Sequence, residues 1–170
     1  MKKSNESLRE IKLVGITART SNSLEGNPET ARIGQTIGNY FENNLSQKIA
    51  NRINPGTTYC AYTEYETDEN GFYTYFVGEE VDSLDEIADG FEMLIIPASN
   101  YTKFECGPGA MPKVCIDAWK RIWSMQEADL GGKRTYVADF EIYDERAKDY
   151  GNAILDIYIG VTQWIYSNSK

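Results

Sequence analysis

The sequence contains no histidine. That one absence removes Ser-His and Cys-His nucleophilic pairs and imidazole metal ligands together. Acid–base work would fall to carboxylates, tyrosines, lysines or thiols. Cysteine is scarce as well. Cys60, Cys106 and Cys115 are odd in number and form no CxxC pair, which fits reduced thiols in a cytosol better than a disulfide framework or a metal site. No apolar run approaches membrane-spanning length. The opening MKKSNESLRE has two lysines but no apolar stretch, so no signal peptide is expected. Positive charge is in deficit: 17 Lys and Arg stand against 26 Asp and Glu. A surface that acidic repels a phosphate backbone, so direct nucleic-acid binding is disfavoured, while cationic partners are compatible with it. The expectation is a cytoplasmic protein without metal or cofactor.

Tyrosine is what the sequence has in excess, with 12 residues. The 170 residues suffice for one domain or for two small fused modules. Residues 1–7 read as polar and loose. IKLVGIT, within 8–20, reads as a strand, and 21–28 as a loop. Pro28 opens a helical pattern reaching about Asn51, with Ile33, Ile37, Tyr40, Phe41 and Leu45 at helical spacing. Thr58 to Tyr65 and Phe72 to Val81 read as strands joined by the loop ETDENG. The second half repeats the order: an extended stretch from Phe91 to Phe104, a helix from Pro112 to Gln126, and strands at 135–143 and 153–161. The tail from Ser167 is polar.

Residue matches support a duplication. Thr58–Glu64 aligns with Thr135–Glu141, Val77-Gly78 with Ile159-Gly160, and Ile37 and Phe41 with Trp119 and Trp123. Two β-α-β-β modules, about 8–82 and 91–162, predict an α+β fold within a single domain spanning 1–170. It would have an antiparallel sheet, two helices on one face, a pseudo-twofold axis and a central ligand groove. No segment is left over for a DNA-binding domain.

Alternation places Leu155, Ile157, Ile159 and Val161 on one face, under the helices. By the repeat, Tyr73, Tyr75 and Val77 point the same way. Cys115, Ala118, Trp119, Ile122 and Gln126 form a helical stripe with Trp123 beside it. Glu141 stands inside a strand between Phe140 and Ile142. Such a carboxylate is either solvent-facing or buried among aromatics. If buried without a partner it is costly, and an arriving cation would offset that cost, aided by cation–π attraction of roughly 0.5–2 kcal/mol per ring.

The runs YTEYETDENGFYTYFVGEEV (62–81), LIIPASNYTKFECGPG (94–109), IDAWKRIW (116–123) and DFEIYD (139–144) resemble the GyrI-like effector-binding domains, most closely the stand-alone, integron-associated subgroup. The similarity spans about Leu8 to Val161. It implies two β-α-β-β modules around a ligand pocket, with Glu141 in that pocket, Tyr143 beside it, and Tyr73, Tyr75, Tyr101, Trp119 and Trp123 as ligand-binding positions. Ile37 stands where relatives often carry a tryptophan.

Three functions follow. The first is reversible binding of amphipathic, cationic small molecules by a stand-alone sensor or sequestering protein, linked to transcription or drug response through a separate regulatory partner. The second is hydrolysis of electrophilic cyclopropane-type compounds, with Glu141 as base and Tyr75 or Tyr73 as donor. The third is inhibition of a topoisomerase by a DNA-like acidic surface built from Glu64, Glu66, Asp68 and Glu69 with Glu79, Glu80, Asp82, Asp85 and Glu86.

Overall fold

The computed structural model describes residues 1–162, and the polar tail expected from Ser167 lies outside them. Eight strands form one antiparallel sheet: β1 (Lys2–Leu8), β2 (Ile11–Ser21), β3 (Thr58–Thr63), β4 (Phe72–Glu80), β5 (Glu92–Ile96), β6 (Ser99–Gly109), β7 (Ala138–Tyr143) and β8 (Ala153–Val161). Two helices longer than two turns, α2 (Ile33–Glu42) and α3 (Lys113–Trp123), accompany the short α1 (Asn22–Glu25) and α4 (Glu127–Leu130). The strand order β1-β6-β8-β7-β3-β4-β2-β5 is symmetric about the β7–β3 pair. The units β2-α2-β3-β4 and β6-α3-β7-β8 meet there, with Cys60 opposite Glu141.

Each unit is extended by a leading strand that pairs with the other unit: β1 with β6, and β5 with β2. Leu8 pairs Ser99 and Ile11 pairs Ile96, so the two ladders keep one register across the crossing. Residues 1–7 are therefore not loose. Six of the seven residues from Lys2 to Leu8 are polar and the segment is mostly exposed, so no alternation marks it, yet its backbone completes a ladder. The stretch from Phe91 to Phe104 is two strands, broken at Pro97, which has no N–H to donate. β7 begins at Ala138, because Tyr136 adopts φ 51° and kinks the chain ahead of it.

The first helix is shorter than its pattern. Glycines at 34 and 38 weaken it, and Asn44, at φ 50°, ends it before a 3-10 turn at Leu45–Lys48. Its start lacks a local side-chain cap. Instead the Glu25 carboxylate accepts from the backbone N–H groups of Arg32 (2.9 Å) and Ile33. α3 stops at Trp123, and a capping box between Gln126 and Asp129 starts α4.

The helix-bearing face of the sheet buries two clusters. Trp119 and Ile122 cover Leu155, Ile157 and Ile159, while Tyr40 sits over Tyr73, Tyr75 and Val77. The opposite face buries Leu13, Phe76, Ile96, Tyr101, Phe140 and Tyr158, with Phe140 stacked on Tyr158 at 4.7 Å. Gly15 faces Gly78 across β2 and β4. A Cβ on either would lie 2.7 Å from the Phe76 ring, so the glycine pair makes room for that ring.

The element order repeats, but one residue alignment does not. Glu64 does not share the place of Glu141: it follows β3 at φ 48° and accepts from Thr74 Oγ1 at 2.6 Å.

Candidate functional site

Between α2, α3 and the middle strands lies a cavity of about 440 Å³. The sheet supplies Tyr62 from β3, Tyr73 and Tyr75 from β4, and Glu141 and Tyr143 from β7. Alternation puts them together, since residues two apart share a face, and Tyr62 stands directly opposite Tyr75. The helices add Ile37 from α2 and Cys115, Trp119 and Trp123 from α3. Trp119 is buried, whereas Trp123 is 41 % exposed and marks the rim.

Tyr62 is the hub of the aromatic walls. Its ring lies 5.0 Å from Trp119, 5.5 Å from Tyr75 and 5.6 Å from Tyr73, each edge to face. Trp119 continues to Trp123 at 5.9 Å. A ligand in the cavity thus meets ring surfaces on both the strand and the helix side.

Glu141 is 2 % exposed. Three neutral donors hold it: Tyr62 O–H at 2.8 Å and Trp119 Nε1–H at 2.5 Å to Oε1, and Tyr143 O–H at 2.6 Å to Oε2. The Cys115 thiol lies 3.5 Å from Oε1. Burial first, and the Glu141 charge second, push the Tyr62, Tyr143 and Cys115 groups well above their ordinary pKa values. They stay protonated as donors throughout the physiological range.

The other buried carboxylates each have a basic partner: Glu79 has Arg52 (3.4 Å), Glu80 has Arg9 (2.6 Å), Asp139 has Arg134 (2.7 Å), and Asp156 has Arg146 (2.6 Å) and Lys103 (3.2 Å). Among the described residues no such ion pair forms at Glu141. Its oxygens are held by neutral donors, with no cation of the described residues beside them.

Of the positions expected from sequence, Glu141, Tyr73, Tyr75, Trp119, Trp123, Tyr143 and Ile37 border this cavity. Tyr101 does not. It is buried in the core of the opposite face, against Phe140 at 5.3 Å, and donates to the Pro97 carbonyl. Phe104 and Cys106 pack under α3, so Tyr101, three residues before Phe104 on the same strand, points the other way. Tyr62, Tyr65, Cys115 and Met111 belong to the lining and were not anticipated as site residues. The acidic surface also needs correction: Glu79 and Glu80 are buried in ion pairs and do not present a DNA-like face. Among the described residues no group of three or more His, Cys, Asp or Glu is placed to hold a metal, and no helix is long and apolar enough to cross a membrane.

The sequence pattern of Cass2, the integron-associated effector binding protein family, matches residues 6–161. The chain belongs to this family. Among relatives of this Cass2 member, YobU of Bacillus subtilis (strain 168), named as a proposed transcriptional regulator, is 30% identical over 150 residues, covering 88% of this chain and 91% of its own. The integron cassette protein VCH_CASS2 of Vibrio cholerae is 26% identical with a TM-score of 0.74, covering 94% of this chain and 95% of its own. SAV2435, solved bound to tetraphenylphosphonium, shares the fold with a TM-score of 0.75 at 19% identity, over 95% of this chain and 94% of its own. The Cass2 member therefore has the GyrI-like effector-binding architecture that the resemblance implied, and the α+β layout that the repeat predicted.

Proposed function

We propose that this chain binds lipophilic cations reversibly in the aromatic cavity, with Glu141 as the charge anchor and Tyr62, Tyr73, Tyr75, Trp119, Trp123 and Tyr143 as walls. The observation that carries this reading is the asymmetry among buried carboxylates: Glu141 alone in that set has no cationic partner. A buried charge held by neutral donors still favours an incoming cation, and the rings add cation–π attraction. SAV2435, which shares the fold, was solved with such a cation. Both oxygens of Glu141 are engaged by protein donors. Tyr62, Trp119 and Tyr143 fill three of the roughly four acceptor positions of this carboxylate, which leaves little room to hold and deprotonate a water and favours binding over general-base hydrolysis. The regulatory name of YobU and the family's effector-binding description support a sensor or sequestering role; a transcriptional role, unlike sequestration, would need a separate protein partner.

The test uses two ions of one shape and opposite charge, tetraphenylphosphonium and tetraphenylborate. Calorimetry and tryptophan quenching should show the cation binding and the anion failing. Glu141→Gln should weaken the cation by about tenfold to a hundredfold. Equal binding of both ions, or a Gln variant indistinguishable from the parent, would sink the reading.

A further inference from the structure

The cavity does not end at Glu141. A second hollow of about 240 Å³ adjoins it. The two share Ile37, Met111 and Tyr143. Tyr143 therefore belongs to both: its hydroxyl fixes Glu141 in the first hollow, and the same side chain borders the second.

The second hollow has different chemistry. Its inner side is formed by Thr58 and Cys60 of β3, and burial keeps the Cys60 thiol neutral by raising its pKa. Its outer side includes Ala147, in the 3-10 turn Glu145–Ala147. The carboxylate at its edge, Asp144, is occupied by the Arg146 guanidinium at 2.9 and 3.0 Å. The other charged side chain of the lining, Lys148, pairs with Glu145 at 2.9 Å, so both charges there have partners, unlike Glu141.

Exposed apolar side chains gather at both openings. Ile116 and Trp123 border the first hollow, and Phe41 and Tyr150 the second. Phe41 is 50 % and Tyr150 69 % exposed, and neither belongs to a core cluster. Two large apolar side chains left bare around one concavity are what an apolar ligand segment would cover.

We propose that the site is bipartite and that its ligands are elongated amphipathic cations. The charged aromatic head sits against Glu141. An unbranched hydrocarbon arm runs past Ile37, Met111 and Tyr143 into the second hollow, under Phe41 and Tyr150. This rests on the cation reading above, and the second hollow adds length selectivity to it. The hollow has little more than half the volume of the first, which suits a chain better than a second ring system.

The experiment titrates alkyltriphenylphosphonium ions with methyl, butyl, octyl and dodecyl arms, below their aggregation concentrations. Each methylene that enters the hollow should tighten binding by up to about fourfold, and the gain should stop once the hollow is full. Ala147→Phe fills the hollow from its outer side. It should bind the methyl ion like the parent and lose the gain with chain length. Should that variant fail to melt cooperatively, Phe41→Ala with Tyr150→Ala, both at exposed positions, should flatten the same dependence. If the methyl ion binds but chain length has no effect, or has the same unsaturating effect in parent and variants, the second compartment is refuted and the cation site stands. If the methyl ion itself does not bind, the cation reading fails and this inference goes with it.

Discussion

Asp139 and Glu141 lie two residues apart on β7, face the same side of the sheet and are both buried. Their surroundings differ in kind. Asp139 is closed: Oδ2 accepts from Arg134 at 2.7 Å and from Tyr65 O–H at 2.8 Å, and Oδ1 from the Gly160 amide at 2.9 Å. Arg134 in turn lies over the Tyr136 ring at 4.3 Å and reaches Glu69 at 3.4 Å. Glu141 is open: rings and a thiol surround it, and no cation does. The closed carboxylate ties the loop before β7 to the sheet. The open one has no counter-charge supplied by the described residues. Burial alone therefore does not distinguish the two carboxylates; a missing counter-charge does.

Substitution should separate the two first in stability. Asp139→Asn leaves the buried Arg134 without its close partner and should cost about 3–5 kcal/mol in urea unfolding. Glu141→Gln removes a charge that had no opposite, keeps an oxygen to accept hydrogen bonds, and should cost no more than about 1–2 kcal/mol. Equal costs would make Glu141 a structural group like its neighbour and break the comparison.

The comparison sharpens if Glu141 is given what Asp139 already has. Cys115 lies 3.5 Å from Oε1 and borders a cavity with room for a longer side chain. Cys115→Lys should place an ammonium against Glu141. Tetraphenylphosphonium affinity should then fall more than tenfold by competition for one charge, while the melting temperature holds or rises. Undiminished affinity would mean that charge does not anchor the ligand.

Much of this was legible beforehand, for identifiable reasons. The strand pattern alone left Glu141 either solvent-facing or buried, and the resemblance chose the pocket; alternation in β8, carried over by the repeat, put Tyr73 and Tyr75 on the face of Leu155 and Ile157. The helical stripe through Trp119 has a period that composition cannot hide. What escaped reading had no periodic signal. β1 is polar on both faces, so its pairing shows only in the ladder with β6. Tyr62 needed the hairpin register that sets it opposite Tyr75, because β3 buries residues on both faces and alternation could not choose between them. The Arg134–Asp139 pair depends on the left-handed turn at Tyr136, a tertiary event that spacing does not encode. Tyr101 was placed by resemblance alone, and strand parity from Phe104 argues against it.

The smallest expected effect tests the wall rather than the anchor. Ile37 of α2 borders both hollows. An aliphatic side chain there contributes apolar contact but no ring quadrupole. Ile37→Trp would add a further aromatic face opposite Trp119, and one cation–π contact of roughly 0.5–1 kcal/mol corresponds to a gain of about twofold to fivefold for tetraphenylphosphonium. The same indole would narrow the passage beside Met111 and Tyr143, so long-chain cations should lose affinity as the compact ion gains it. Opposite signs for the two ligands would place Ile37 at the junction of the hollows. A uniform gain would assign it to the aromatic wall alone, and a uniform loss would mean that the cavity is already filled to its tolerance at this position.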